Sequence, residues 1–130
     1  MSLRVLYVDD EADIREIVSL SLSLDPDFEV ETAASGTAAV ERARQGGLDL
    51  ILLDVMMPVM DGRTTFSALR ALGLEPPVPI AFVTARTQAH EISLFKGLGA
   101  VGVIAKPFDP MTLASDVKAL CQGAAPSPSV

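Results

Sequence analysis

Five short apolar runs, each followed by a segment with apolar residues at helical spacing, constrain this 130-residue chain more than anything else in it. Residues 3–8, 28–33, 48–53, 80–83 and 101–105 read as strands, and 48–53 is near-continuously apolar, as a strand covered on both faces must be. Residues 12–24 place Ile14, Ile17, Val18 and Leu24 at roughly helical spacing, so a first helix follows the first strand. A second spans 37–45, presenting Val40 and Ala43 behind a Ser35 cap and stopping at Gly46-Gly47. Helices over 63–72 and 88–98 follow; between them Pro76, Pro77 and Pro79 mark a rigid entry into the fourth strand, with Pro79 confined to its start. Asp109-Pro110 reads as a cap and first-turn proline for a last helix with the buried stripe Leu113, Val117, Leu120 and Cys121. This alternation predicts one α/β domain, a doubly wound parallel sheet with right-handed crossovers and helices on both faces. It does not by itself give the strand order.

Composition narrows the class. With 49% hydrophobic residues the chain can bury a full core without disulfides or structural metal. A lone Cys121, no apolar stretch of the roughly 18 residues a membrane span needs, and no signal-peptide pattern point to a reducing, cytoplasmic setting. A net charge of -7 without a Lys/Arg cluster argues against direct nucleic-acid or membrane binding. Residues 123–130 are Ala/Pro/Ser-rich, so the folded unit is expected over 1–122, with 123–130 a disordered tail or linker stub.

Polar residues close the strands. Asp9 and Asp10 end the first run, Asp54 the third, Thr84 the fourth, and Lys106 before Pro107 the fifth. In a parallel sheet those ends converge on one crevice, and three carboxylates, a hydroxyl and an ammonium there suit a magnesium and phosphoryl site. Taken singly, each has a plainer explanation: an acidic first turn for Asp9-Asp10-Glu11, a solvated strand end for Lys106, β-propensity for Thr84. Asp54 has none so good, because a carboxylate ending the apolar run 50–53 is costly to hold without a cation.

Asp9-Asp10-Glu11 after Leu6-Tyr7-Val8, the stretch Leu52-Leu53-Asp54-Val55-Met56-Met57-Pro58-Val59-Met60-Asp61-Gly62, then Thr84-Ala85 and Lys106-Pro107-Phe108, together resemble the receiver (CheY-like) domain of two-component response regulators. The likeness covers nearly the whole chain. It implies a flavodoxin-like fold with strand order 2-1-3-4-5 and a site at the switch in that order. It further implies phosphorylation of Asp54 by a sensor histidine kinase or phosphotransfer protein. Mg2+, for which Mn2+ can substitute, would be bound by Asp10, Asp54 and the Met56 backbone carbonyl, with Asp9 acting through water. Thr84 and Lys106 would stabilise the phosphoryl group, and the Lys106-Pro107 bond would be cis. The chain would be a signalling domain rather than an enzyme, catalysing only its own phosphorylation and dephosphorylation, and either a monomer or a phosphorylation-dependent dimer with an unidentified downstream protein target.

One departure stands out: the position that carries an aromatic switch residue in many receivers is Val103 here. The two-state shift of the face formed by the fourth helix, fifth strand and fifth helix is therefore expected to be weakened. Arg86 is expected near the site mouth, where it could gate water. Gly97, Gly99 and Gly102 match a dinucleotide fingerprint literally, but they close a helix instead of opening one. Met56, Met57 and Met60 are expected to be loop and packing residues, and His90 a surface residue. A stand-alone regulator is the simplest expectation; the alternatives are the receiver of a longer regulator with an output domain and a structural receiver that is never phosphorylated. A haloacid-dehalogenase-like phosphatase is disfavoured, since its nucleophile lies on the first strand in an Asp-x-Asp pattern and Asp9-Asp10 are adjacent.

Overall fold

The computed structural model describes residues 2–75, 77–85 and 88–121, which excludes Arg86 and the 123–130 tail. Strands β1 (Leu3–Val8), β2 (Phe28–Ala33), β3 (Leu50–Asp54), β4 (Ile80–Thr84) and β5 (Gly102–Ala105) alternate with helices α1 (Ala12–Ser23), α2 (Gly36–Arg44), α3 (Gly62–Ala71), α4 (Ala89–Leu98) and α5 (Leu113–Cys121). All strand pairs are parallel, in the order β2-β1-β3-β4-β5. This is the doubly wound flavodoxin-like architecture expected from the sequence.

Side chains alternate across a strand, so each central strand feeds two cores. Leu6 and Val8 of β1, Ile51 and Leu53 of β3, and Ile80 and Phe82 of β4 meet Ala39 and Ala43 of α2, Phe66 and Leu69 of α3 and Phe95 of α4. Val5, Tyr7, Leu50, Leu52, Ala81 and Val83 meet Val18 and Leu22 of α1 and Leu113, Val117 and Leu120 of α5. Both faces of β3 and β4 are covered, and every residue of those two strands is buried.

Several sequence expectations shift. In α1 the inward stripe is Ile14, Val18, Ser21 and Leu22; Ile17 is 42% and Leu24 83% exposed, because a helix on a sheet buries one narrow face and Leu24 lies past its last turn. β3 begins at Leu50, since the Asp49 backbone and side chain instead bond Arg4 of β1, and it runs on through Asp54. Asp109-Pro110 opens a separate turn, with Asp109 Oδ1 accepting from the Met111 N–H at 2.9 Å, and α5 starts only at Leu113. Ser35 does cap α2, accepting from the Ala38 N–H at 3.1 Å. Gly99, the middle glycine of the apparent fingerprint, ends α4 with φ 111°, a left-handed helix stop.

Candidate functional site

Strand register assembles the site. Val8 is level with Leu53, so Asp9 and Asp54 leave neighbouring strands together; Asp54 is level with Val83 and Thr84 with Ala105, which brings Thr84 and Lys106 to the same edge. The chain winds from β1 outward to β2 on one side and to β3 on the other, which opens a crevice at these carboxyl ends.

Asp9, Asp10 and Asp54 each offer a carboxylate oxygen within 4.8 Å of the others. Asp9 is wholly buried and Asp54 is 3% exposed, while Asp10 faces solvent. The Lys106 Nζ stands 3.0 Å from Asp9 Oδ2, 3.7 Å from Asp54 Oδ1 and 3.9 Å from Glu11 Oε1. Its backbone N–H donates to the Thr84 carbonyl at 2.9 Å, and the Lys106–Pro107 bond is cis. Thr84 is buried at the end of β4.

Crowded carboxylates set the electrostatics. Burial pushes the Asp54 carboxyl up to about 6, and the Asp9 and Asp10 charges add to the rise, against the pull of Lys106 and a hydrogen bond from the Met56 backbone. Burial alone would lower the Lys106 ammonium, but its bond to Asp9 and the charges of Asp54, Asp9 and Glu11 outweigh it and leave its pKa raised. A cation-seeking pocket with one resident ammonium results. The donor set, three carboxylates in hard oxygen chemistry, fits a magnesium-class ion.

Three residues of the site are additional to those read from the sequence. Tyr7 donates its hydroxyl to Asp9 Oδ2 at 2.7 Å; burial, then the bond to Asp9, pushes its ionisation far above the ordinary phenol value, so it stays a donor. The signal was a lone tyrosine in an aliphatic strand, two residues from Asp9 and hence on its face. Arg15 on α1 donates to the Asp9 carbonyl at 2.8 Å. Gly62 lies against the end of β3: a Cβ there would sit 2.5 Å from the Asp54 carbonyl oxygen and 2.7 Å from Val55 Cα. Only glycine allows that approach.

The methionines divide. Met57 is buried in the core, Met60 packs half-buried beside Gly36, and Met56 is 77% exposed at the site mouth instead of packed. His90 is exposed on the first turn of α4, as expected. Val103 is half-buried and level with Phe82, which stacks on Phe66 and meets Phe95 at a tilt.

The response regulator receiver domain family model matches residues 5–118, and the chain belongs to that family. It is 38% identical over 119 residues to the transcriptional regulatory protein PrrA of Mycobacterium tuberculosis, covering 92% of this chain and 50% of that one. To a protein-glutamate methylesterase/protein-glutamine glutaminase of Nocardioides it is 42% identical over 99 residues, 75% of this chain and 26% of the other. The chain thus spans half or less of these two relatives. The structure of the chemotaxis response regulator CheY4 of Vibrio cholerae superposes with a TM-score of 0.83 at 38% identity, covering 92% of this chain and 99% of that one. Among the described residues no helix is long and apolar enough to cross a membrane.

Proposed function

We propose that this receiver is a phosphorylation switch whose acceptor is Asp54, the phosphoryl group coming from the phosphohistidine of a sensor histidine kinase or a phosphotransfer protein. The observation that carries this reading is the meeting of Asp9, Asp10, Asp54 and Lys106 at one end of the sheet. An Asp54 carboxylate oxygen attacks phosphorus as the bond from phosphorus to the imidazole nitrogen breaks. The imidazole leaves with the electron pair, and Asp54 becomes an acyl phosphate. Lys106 and the Thr84 hydroxyl neutralise charge on the transferring oxygens.

Asp10, Asp54 and the Met56 carbonyl would hold Mg2+, or Mn2+ in its place, with Asp9 contributing through water. When bound, the ion supplies charge neutralisation between the carboxylates and the incoming phosphoryl group. The acyl phosphate is open to water at the same site, so the signal limits itself. The readout is a two-state shift of the α4-β5-α5 face toward a protein partner, in a cytoplasmic domain spanning 1–122. Valine at 103 is short of the reach an aromatic ring would have, so the shift is small. Dimerisation through that face on phosphorylation, or a monomer in both states, fits equally well.

A second reading is favoured by the relatives' lengths: that this is the receiver of a longer regulator, its output domain lying outside these residues. It is checked by measuring the size of the protein in its source cells.

The test is incubation with Mg2+ and a small acyl-phosphate donor, reading intact mass for the native chain and Asp54→Asn. One phosphoryl group that requires both Asp54 and Mg2+ is expected. No addition at saturating donor would promote the purely structural receiver.

A further inference from the structure

We infer that Tyr7 is a positioning residue of the phosphoryl site: its hydroxyl holds the Asp9 carboxylate in place so that Lys106 can leave it for a phosphoryl group on Asp54. The inference rests on the proposed function.

Asp9 is wholly buried, and both its oxygens are engaged. Oδ1 accepts from the Glu11 backbone N–H at 2.9 Å, while Oδ2 accepts from Tyr7 at 2.7 Å and from Lys106 at 3.0 Å. The ammonium stands nearer Asp9 than Asp54, from which it is 3.7 Å away. To neutralise a phosphoryl group on Asp54 it must move off Asp9, and a buried carboxylate oxygen stripped of its donor is costly. Tyr7 prevents that. Its ring is 1% exposed and fixed among the side chains of α1 and α5, so it stays on Oδ2 when Lys106 departs. Its neutral hydroxyl satisfies Asp9 without adding a charge that would compete with Lys106. An aliphatic residue at position 7 would fill the same core space and supply no donor.

The experiment compares wild type, Tyr7→Phe, Lys106→Met and the double variant, at saturating Mg2+ and acetyl phosphate, by the rate of phosphoryl addition in intact mass. Tyr7→Phe keeps the ring and removes only the hydroxyl. Its rate is expected to be about tenfold lower where Lys106 is present and within about twofold in the Lys106→Met background, since the coupling runs through Lys106. Mg2+ binding, measured by calorimetry, is expected to stay within about twofold, which separates positioning of Asp9 from loss of the metal site. An equal loss in both backgrounds would make Tyr7 merely structural and overturn the inference. An unchanged rate in Tyr7→Phe would overturn it while leaving the acceptor role of Asp54 standing; a wild type that takes no phosphoryl group would sink both. Should Tyr7→Phe fail to fold, the wild type decides. Tyr7 is the chain's single tyrosine and there is no tryptophan, so ultraviolet emission reports this side chain alone. Emission is expected to drop on phosphorylation as the Tyr7–Asp9 bond tightens, and unchanged emission at full phosphorylation would refute the inference.

Discussion

At Asp54 the folded chain holds a carboxylate at an electrostatic cost. The carboxyl is pushed from 3.8 up to about 6 by burial and by Asp9, so the fold binds this proton more tightly than the unfolded chain does. Its contribution therefore favours folding at pH below 4 and is lost as pH rises through 6. Asp54→Asn is expected to raise the unfolding free energy of the metal-free protein at pH 7 by about 2 kcal/mol, with the gain vanishing near pH 4. Denaturant titration at both pH values checks this, and a gain equal at both would contradict it. Asp54 was legible in the sequence because a carboxylate closing an apolar run has few plain explanations. Tyr7 was not, since a tyrosine in a strand is ordinary until the carboxylate it bonds is located.

The β3–α3 connection shows how an element serves a site. Its Pro58 and Asp61-Gly62 read as a turn from the sequence, and Asp61 caps α3 by accepting from the Thr64 N–H at 2.9 Å. Two features are invisible at that level. Gly62 packs on the Asp54 backbone, so Gly62→Ala is expected to force that strand end aside, destabilise the fold by about 2 kcal/mol and, under the proposed function, slow phosphorylation of Asp54. A thermal melt with intact-mass kinetics tests both effects, and an unshifted melt would show that the loop yields freely. Val59 holds φ 67° while fully exposed, a left-handed conformation that a β-branched side chain strongly resists. Nothing in the residue type announces it; the Met60 N–H donates to the Pro58 carbonyl at 2.7 Å, closing a tight turn across Val59. Val59→Asn, which tolerates that region, is expected to stabilise by about 1 kcal/mol in the same melt.

Across the whole molecule, the ends of β1, β3, β4 and β5 meet at a crevice whose acidic groups repel one another, so a bound cation would add to stability. Under the proposed function, Mg2+ at ten times its dissociation constant is expected to stabilise the fold by about 1.4 kcal/mol, and Asp10→Asn to abolish the gain at the same concentration. Melts with and without the ion decide, and a gain that survives Asp10→Asn would place the ion elsewhere. The sequence by itself determined the five-fold alternation, the single parallel sheet and the polar residues that close four of the five strands, because hydrophobic period and turn chemistry are local properties. Only the tertiary structure decided that Ile17 and Leu24 face outward, that Asp109-Pro110 opens a turn ahead of α5, and that Lys106 rests on Asp9 in preference to Asp54. Those outcomes depend on which face of a helix meets the sheet and which donor reaches a buried oxygen first. Both are settled by distances between residues as far apart in the chain as Asp9 and Lys106.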